Sequence, residues 1–500
     1  MFEIKDVDLA GRIGVLYTRS GRVETPAFFP VVDPLRQELS PSDIREAGFG
    51  QVITNAYLAL KRFGDEAVEA GIHAILGFDG VVMTDSGAYQ ILEYGGVDVS
   101  QEEVVRYQAA IGSDIGVILD IPTGDVDHER ARITVEETLD RARRAASMIR
   151  DTETLWVLPV QGGRHLDLVK YSAMESARIQ GYSIYGIGSP TVYLEKYMYK
   201  TVTDIIYTAK SILPGGKPVH LFGAGHPLII QLAIALGVDM FDSASYILYA
   251  RDDRYITDYG VERLENLEYF PCSCPVCSRY TPQDLREMDK RERTRLLALH
   301  NLYKIREAIS RAKLYIREGR LWELVEEAAA KHPRAYEVLQ GFERDYLGLL
   351  NASTPRVKGV VRGIRLYTAT SIHNPKVSYF RRRVEEVLEH LARGEDRAIF
   401  KPFKDECRGG GEGYIIYYKP YIGVIPWQLC GVYPTIQSHH PEIPPKEVIA
   451  DLANTIKRTI DLLSKAGIKD ITIIHDDNLP WSLEVKKHVK SNTRSYNNHV

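Results

Sequence analysis

The pattern that most restricts the fold of this chain is a series of short apolar runs separated by helix-forming stretches. The runs are Ala27–Val32, Gln51–Thr54, Val81–Thr84, Ile115–Leu119, Leu155–Val160, Ile184–Ile187, Val219–Phe222 and Val238–Phe241. Each is four to six residues long, the length of a buried strand. Between them lie segments with helix start signals, among them Ser100-Gln101-Glu102-Glu103, the charge-dense Asp127–Ile149 and His165–Gln180. Eight strands alternating with helices over about 240 residues predict a (β/α)8 barrel, an α/β fold. A doubly wound open sheet is the alternative, but no Gly-x-Gly-x-x-Gly follows the first strand. Ahead of the first run, Gly11–Thr18 and Val23–Glu24 read as a β-hairpin.

The residues that end these runs are polar or glycine in seven cases. They are Asn55, Asp85-Ser86-Gly87, Asp120, Gln161-Gly162-Gly163, Gly188-Ser189, Gly223-Ala224-Gly225-His226 and Asp242-Ser243. Taken singly, each reads as a helix cap or a turn former. In a barrel, however, the C-terminal strand ends share one face, and active sites are built there. Together these residues describe a glycine-floored cup holding three carboxylates and an amide. Such a set suits chemistry at a glycosidic carbon: one carboxylate attacks, another moves protons, and a third grips the polar edge of a heterocycle. Gln161 adds a donor and an acceptor, and backbone amides near Gly188 complete a surface for a base. His226 is read as an acid/base group or as a cap. No P-loop and no Ser-His-Asp order is present.

Five cysteines in 500 residues argue against a disulfide scaffold, and three of them cluster. Cys272, Cys274 and Cys277 form C-x-C-x-x-C, and His300 follows 23 residues after the last of them. Three thiolates and an imidazole make a complete tetrahedral zinc set, which leaves no position for water and predicts one structural zinc ion per chain. The segment from Pro282 to Ile316 has helical periodicity, so His300 is expected to reach the cysteines from a helix. Cys407 and Cys430 read as isolated, half-buried thiols.

Net charge is −4, but residues 351–500 carry 23 Lys and Arg against 16 Asp and Glu, leaving 40 against 51 in residues 1–350. An acidic body with a basic end suits a polyanion held at that end. No stretch has the length and apolarity of a membrane span, and the first residues lack the apolar core of a signal peptide, so a cytoplasmic protein is expected.

The motifs MTDSGAYQ, LDIPT, VQGG, HLFGAGHP, FDSASY and CSCPVCSRYTPQDLREM with ALHNLY resemble those of the tRNA-guanine transglycosylase family, and its archaeal branch most closely. The resemblance runs from about Phe2 to about Leu350. It implies a (β/α)8 barrel with a zinc-binding insert, and exchange of guanine at position 15 of the tRNA D-arm for 7-cyano-7-deazaguanine on the way to archaeosine. It further implies that Asp85 and Asp242 are the catalytic pair, acting through a covalent link to ribose C1′. We read Asp242 as nucleophile and Asp85 as acid/base, the reverse assignment staying open on sequence. Ser86, Asp120, Gln161 and Gly188 match base-binding positions, and Cys272, Cys274, Cys277 and His300 match the zinc ligands. The implied partners are tRNA, guanine, 7-cyano-7-deazaguanine and a second copy of the chain, with no membrane. A nucleotide acted on at C1′ must leave its stack. Arg251, Arg254, Arg279 and Arg286 are read as phosphate contacts or as ordinary ion-paired side chains.

The resulting division is a barrel over residues 1–350 with a zinc subdomain at 266–305, an accessory α/β domain over 351–485, and a polar basic tail over 486–500, for which poor order is expected. In the accessory part Ile364–Ala369 and Ile471–His475 read as strands, Pro375–Leu391 and Pro445–Leu463 as helices, and Gly409–Gly413 as a turn. The stretch from Ile425 to Gln437 resembles an accessory domain of archaeal transglycosylases, and no PUA domain is recognised. Competing readings are queuine-type exchange at the anticodon wobble base, a glycoside hydrolase using the same carboxylates, and a non-catalytic tRNA-binding partner subunit.

Overall fold

The computed structural model describes residues 1–88, 99–356, 358, 362–404, 407–409, 413–489 and, for the backbone alone, 493–496. The chain divides into two compact units. One comprises Met1–Ile316 and Glu327–Phe342, the other Arg317–Glu326 and Glu343–Val500.

The first unit begins with an antiparallel sheet of β1 (Phe2–Asp8), β2 (Gly11–Tyr17) and β3 (Arg22–Thr25). Strands β2 and β3 are the expected hairpin, while β1 has exposed and buried residues in no strict alternation and gives little strand signal. Eight parallel strands follow: β4 (Ala27–Pro30), β5 (Gln51–Asn55), β6 (Val81–Asp85), β7 (Ile115–Val117), β8 (Leu155–Val160), β9 (Ile184–Ile187), β10 (Val219–Leu221) and β11 (Met240–Ser243). Their order is β4-β11-β10-β9-β8-β7-β6-β5. The ring closes where Val31 bridges Ile53 and the Val32 N–H donates to the Ile53 carbonyl at 2.8 Å. All eight predicted strands are present and the (β/α)8 barrel stands.

The barrel interior is filled by Ala27, Phe29, Ile53, Val81, Met83, Ile115, Val117, Val157, Ile184 and Met240. Leu16 and Val23 of the N-terminal sheet join this cluster. The sheet is fastened at the N-terminal ends of the strands: Arg12 forks onto Asp239 at 2.7 Å on both oxygens, just before β11. The N-terminal sheet thus packs into one end of the barrel, opposite the C-terminal strand ends. Helices start where the sequence places them. Ser100 accepts from Glu103 N–H at 3.1 Å to cap Gln101–Ala110, and Asp127 accepts from Arg130 N–H at 2.9 Å to cap His128–Ile149. After the barrel come β12 (Arg254–Ile256) and β13 (Val261–Arg263), then helices Pro282–Glu287 and Lys290–Glu318.

The second unit is α/β. Strand β14 (Ile364–Arg365) pairs with β18 (Ser438–His439), and a larger sheet has the order β17-β16-β15-β19-β20. Its members are β15 (Arg397–Pro402), β16 (Tyr414–Lys419), β17 (Gly423–Pro426), β19 (Asp470–Asp476) and β20 (Thr493–Tyr496). Only β17 runs antiparallel to its neighbour. Helices Pro375–Leu391 and Lys446–Lys465 cover it, close to the expected ranges. The segment Arg317–Glu326 belongs here because Glu326 Oε1 accepts from the hydroxyls of Thr368, Thr370 and Ser371 at 2.7, 2.7 and 2.9 Å.

Three expectations for this unit are corrected. The run Ile364–Ala369 is a strand only over its first two residues, since Ala369–His373 turns into a 3-10 helix capped by Thr368. Described parts of the tail carry regular structure: residues to His488 finish a helix, and Thr493–Tyr496 pairs in parallel with Ile473–Asp476. Its polar sequence conceals this because backbone pairing on a sheet edge needs no apolar side chain. Cys407 and Cys430 are not free thiols; they form a disulfide with Cα atoms 6.0 Å apart. They come from the segments after β15 and after β17, so only the folded sheet brings them together. Part of the Gly409–Gly413 turn lies outside the described residues.

Candidate active site and metal centre

Five of the expected mouth residues stand at or just past the C-terminal ends of barrel strands. Asp85 is the last residue of β6, Asp120 follows β7, Gln161 follows β8, Gly188 follows β9, and Asp242 lies within β11. The Tyr89-Gln90 end of the MTDSGAYQ motif lies outside the described residues.

The carboxylates are held differently. Asp242 Oδ1 accepts from His220 Nε2 at 2.7 Å and from the Gly223 N–H at 3.1 Å. Oδ2 takes no hydrogen bond among the described residues, and Asp242 is 9% exposed, so that oxygen is reachable. His220 itself is fully buried between Phe29 and Phe222, with ring centroids 6.2 and 4.7 Å away. A ring donating through Nε2 keeps Nδ1 as a bare acceptor, and Nδ1 has no partner. Among the described residues Asp85 takes one side-chain donor, Asn55 Nδ2 at 3.3 Å, and the backbone of Ser86 and Gly87 also faces it. Burial, reinforced by the charges of Asp120 and Asp242, pushes its carboxyl up to about 7. An acid poised there can give and take a proton at neutral pH. Asn55 also caps helix Ala56–Phe63 through its oxygen, accepting from Leu58 N–H at 2.9 Å, so one side chain serves both as cap and as orienting group.

A second cluster lines the mouth beside them. Gln161 Nε2 donates to Asp120 Oδ2, and Gln161 Oε1 accepts from the Thr123 N–H at 3.0 Å and from Ser189 Oγ at 2.9 Å. Burial raises the Asp120 carboxyl to about 6, against the opposing pull of Gln161 and Arg141. Gly188 must be glycine for Gln161 to lie as it does, because a Cβ there would stand 2.2 Å from Nε2. Its N–H is spent on the Val160 carbonyl at 3.0 Å, so what Gly188 contributes is room for the Gln161 side chain and not that amide. Ser86 Oγ, next to Asp85, is fully buried and has no hydrogen-bond partner among the described residues.

The metal-ligating set also assembles. The Sγ atoms of Cys272, Cys274 and Cys277 and one ring nitrogen of His300 all lie within 4.8 Å of one another. His300 Nδ1 is 3.5 Å from Cys274 Sγ and 3.3 Å from Cys277 Sγ. Its other nitrogen, Nε2, donates to the Ile256 carbonyl at 2.9 Å, which fixes the tautomer that frees Nδ1 for a metal. Tyr255 stacks on the His300 ring at 3.6 Å and Phe270 stacks on Tyr255 at 5.0 Å. His300 rides on helix Lys290–Glu318, as its spacing predicts.

Other candidates resolve into structural roles. His226 accepts from Leu228 N–H at 3.3 Å, and its Nε2 meets the Gly260 carbonyl at 3.1 Å, so it caps helix Pro227–Ala235. Arg251 forks onto Glu38 with both contacts at 2.8 Å, and Arg254 pairs with Asp252 at 2.9 Å. Arg286 donates to the carbonyls of Leu264 and Leu267, while Arg279 stays exposed. Sequence reasoning missed His220, which sits inside a strand. Its signal was a polar residue in the otherwise apolar Val219–Phe222 run.

A family model described as queuine tRNA-ribosyltransferase matches residues 7–334. The chain belongs to this family. Within the queuine tRNA-ribosyltransferase family it is similar to the tRNA-guanine(15) transglycosylase of Aeropyrum pernix, 58% identical over 478 residues that cover 93% of each chain. The proteins of the same name from Sulfolobus acidocaldarius and Saccharolobus solfataricus are each 45% identical, covering 95% of both chains in the first case and 96% and 97% in the second. The mouth carboxylates and the Cys3His group all fall within the matched residues. No described helix is long and apolar enough to cross a membrane.

Proposed function

We propose that the protein is a tRNA-guanine(15) transglycosylase that replaces guanine at position 15 of the tRNA D-arm with 7-cyano-7-deazaguanine. The observation that carries this reading is the unequal treatment of two neighbouring carboxylates. Asp242 has one oxygen tied down and one free, whereas Asp85 is pushed up to about 7. Asp242 Oδ2 attacks ribose C1′ as the bond to guanine N9 breaks, and Asp85 gives its proton to the departing base. The result is an aspartyl–ribose ester. Asp85, now ionised, takes the proton from the corresponding nitrogen of 7-cyano-7-deazaguanine, which attacks C1′ and frees Asp242. One glycosidic bond replaces another, so no nucleotide triphosphate is consumed.

Asp120 and Gln161 hold the aminopyrimidinone edge of the base, with Gly188 giving room and Ser86 offering its free hydroxyl. His220 and the Gly223 N–H act as positioning groups for Asp242. Cys272, Cys274, Cys277 and His300 hold one zinc ion, chosen on the chemistry of three thiolates with an imidazole and structural because four protein ligands close the site. The enzyme works in the cytoplasm as a homodimer formed partly by the metal region, and the α/β unit assists in holding tRNA. The test is incubation of two tRNA preparations, one carrying labelled guanine at position 15 and one at the anticodon wobble position, each with 7-cyano-7-deazaguanine. Release of label that depends on the incoming base supports exchange; retention of label contradicts it, and release only from the anticodon position favours queuine-type exchange.

A further inference from the structure

Ser189 follows Gly188 at the end of β9 with a left-handed backbone, φ 60°, a region that a serine enters at a cost. Its hydroxyl joins three loops. Ser189 Oγ accepts from the Gly124 N–H at 3.1 Å, which directs its own proton to Gln161 Oε1 at 2.9 Å. The Thr123 N–H donates to that same oxygen at 3.0 Å. With two donors on Oε1, the amide nitrogen of Gln161 is turned toward Asp120 Oδ2. Gln161 then keeps one N–H, and Asp120 its outer lone pairs, for a ligand. A donor beside a carboxylate complements a ring edge that shows a carbonyl next to an N–H and an amine.

We propose that Ser189 is a specificity-determining residue: its hydroxyl fixes the direction of the Gln161 amide and so selects a 2-aminopyrimidin-4-one edge over one bearing an amine in place of the carbonyl. The strained turn is the means by which the hydroxyl reaches both the Gly124 N–H and Gln161. Without it, Oε1 keeps one donor instead of two, the Thr123 N–H and the Asp120 carboxylate are left to oppose reversal of the amide, and the Gly124 N–H loses its acceptor. The inference rests on the reading of Asp120 and Gln161 as the base pocket.

The test compares Ser189→Ala and Ser189→Gly with the unaltered full chain in exchange of labelled guanine into tRNA, with 2,6-diaminopurine as the competing base. Glycine removes the hydroxyl while relieving the backbone strain, so it reports on the hydroxyl even where alanine fails to fold. Both variants are expected to raise KM for guanine about tenfold and to lose about tenfold in preference for guanine over 2,6-diaminopurine. KM for tRNA and kcat are expected to stay within about twofold. Folded variants with unchanged guanine KM and unchanged preference overturn the proposal. A loss confined to kcat, or an equal rise in KM for tRNA, overturns it as well. Asp120→Asn is run alongside. If it too leaves the guanine KM unchanged, the pocket reading falls; if it raises that KM while the Ser189 variants do not, only the role of Ser189 falls.

Discussion

The barrel mouth and the metal centre are both clusters of polar side chains on one unit of the chain, yet they are finished differently. At the metal centre the four donors face one another, a set that one ion completes with no position left for a further ligand. Three thiolates face one imidazole nitrogen, the other nitrogen is held by the Ile256 carbonyl, and Tyr255 and Phe270 stack against the ring. At the mouth, capacity is left unspent. Among the described residues Asp242 Oδ2 and the buried Ser86 hydroxyl have no hydrogen-bond partner, and the Asp85 carboxyl is pushed up to about 7. A cluster that satisfies itself stabilises the fold. One that keeps unsatisfied groups is prepared for something that binds.

The sharpest way to break this contrast is to exchange the outcomes of mutation. Asp242→Ala is expected to lose at least about a thousandfold in guanine release while keeping its metal and losing only about a few degrees of Tm as His220 and Gly223 give up their acceptor, measured by label release, metal analysis and calorimetry. Cys274→Ser is expected to do the reverse in kind: metal content falls away and Tm drops by about 10 °C or more, as metal analysis and melting will record. A Cys274→Ser chain that keeps both metal and Tm would remove the basis for calling that site closed.

Asp85 links the two halves of the contrast, since a carboxyl raised by burial costs stability when it ionises. The folded value of about 7 lies above the ordinary aspartate value of 3.8. The folded state therefore binds this proton more tightly than the unfolded chain, and stability declines as pH rises between those two values. Asp85→Asn should abolish exchange and yet raise Tm by several degrees above pH 7, a gain that shrinks as the pH falls toward about 4. In the unaltered protein, guanine release without an incoming base should weaken above about pH 7, as Asp85 loses the proton it donates. A release rate independent of pH from 6 to about 8 would assign the acid elsewhere.

The smallest effect is expected at His220, which orients Asp242 without touching substrate. His220→Phe keeps the ring packed among Phe29 and Phe222 but removes the donor. A fall in kcat of about tenfold with unchanged KM values is expected from steady-state kinetics. A change in KM for the base alone would move His220 from the nucleophile to the pocket.

The two regions were also unequally legible in the sequence. The metal set was readable because Cys272, Cys274 and Cys277 sit within six residues and thiolates have few other uses at that spacing. The mouth was readable only through the barrel, whose eight apolar runs predict that distant strand ends converge. Within it, Asp85, Asp120, Gln161 and Asp242 stood out as polar ends. His220 did not, because its role depends on the pairing of His220 with Met240 that sets β10 against β11. Ser189 was visible as a strand end, but its part in orienting Gln161 depends on a left-handed backbone that no residue type announces. The disulfide between Cys407 and Cys430 was hidden for a similar reason, since its halves meet only once β15, β16 and β17 have paired. Strands β15, β16 and β17 were themselves missed, although Tyr414–Lys419 is buried throughout and reads as a continuous apolar and aromatic run.

The central claim is that Asp242 is the nucleophile of a base exchange on tRNA. Its most direct measurement is trapping: the protein is mixed with tRNA without incoming base, denatured, digested and analysed by mass spectrometry for a ribose-linked peptide. The account predicts an adduct on the peptide that carries Asp242, lost in Asp242→Ala and discharged by 7-cyano-7-deazaguanine. An adduct carried by Asp85, or guanine release with no adduct at all, would contradict it.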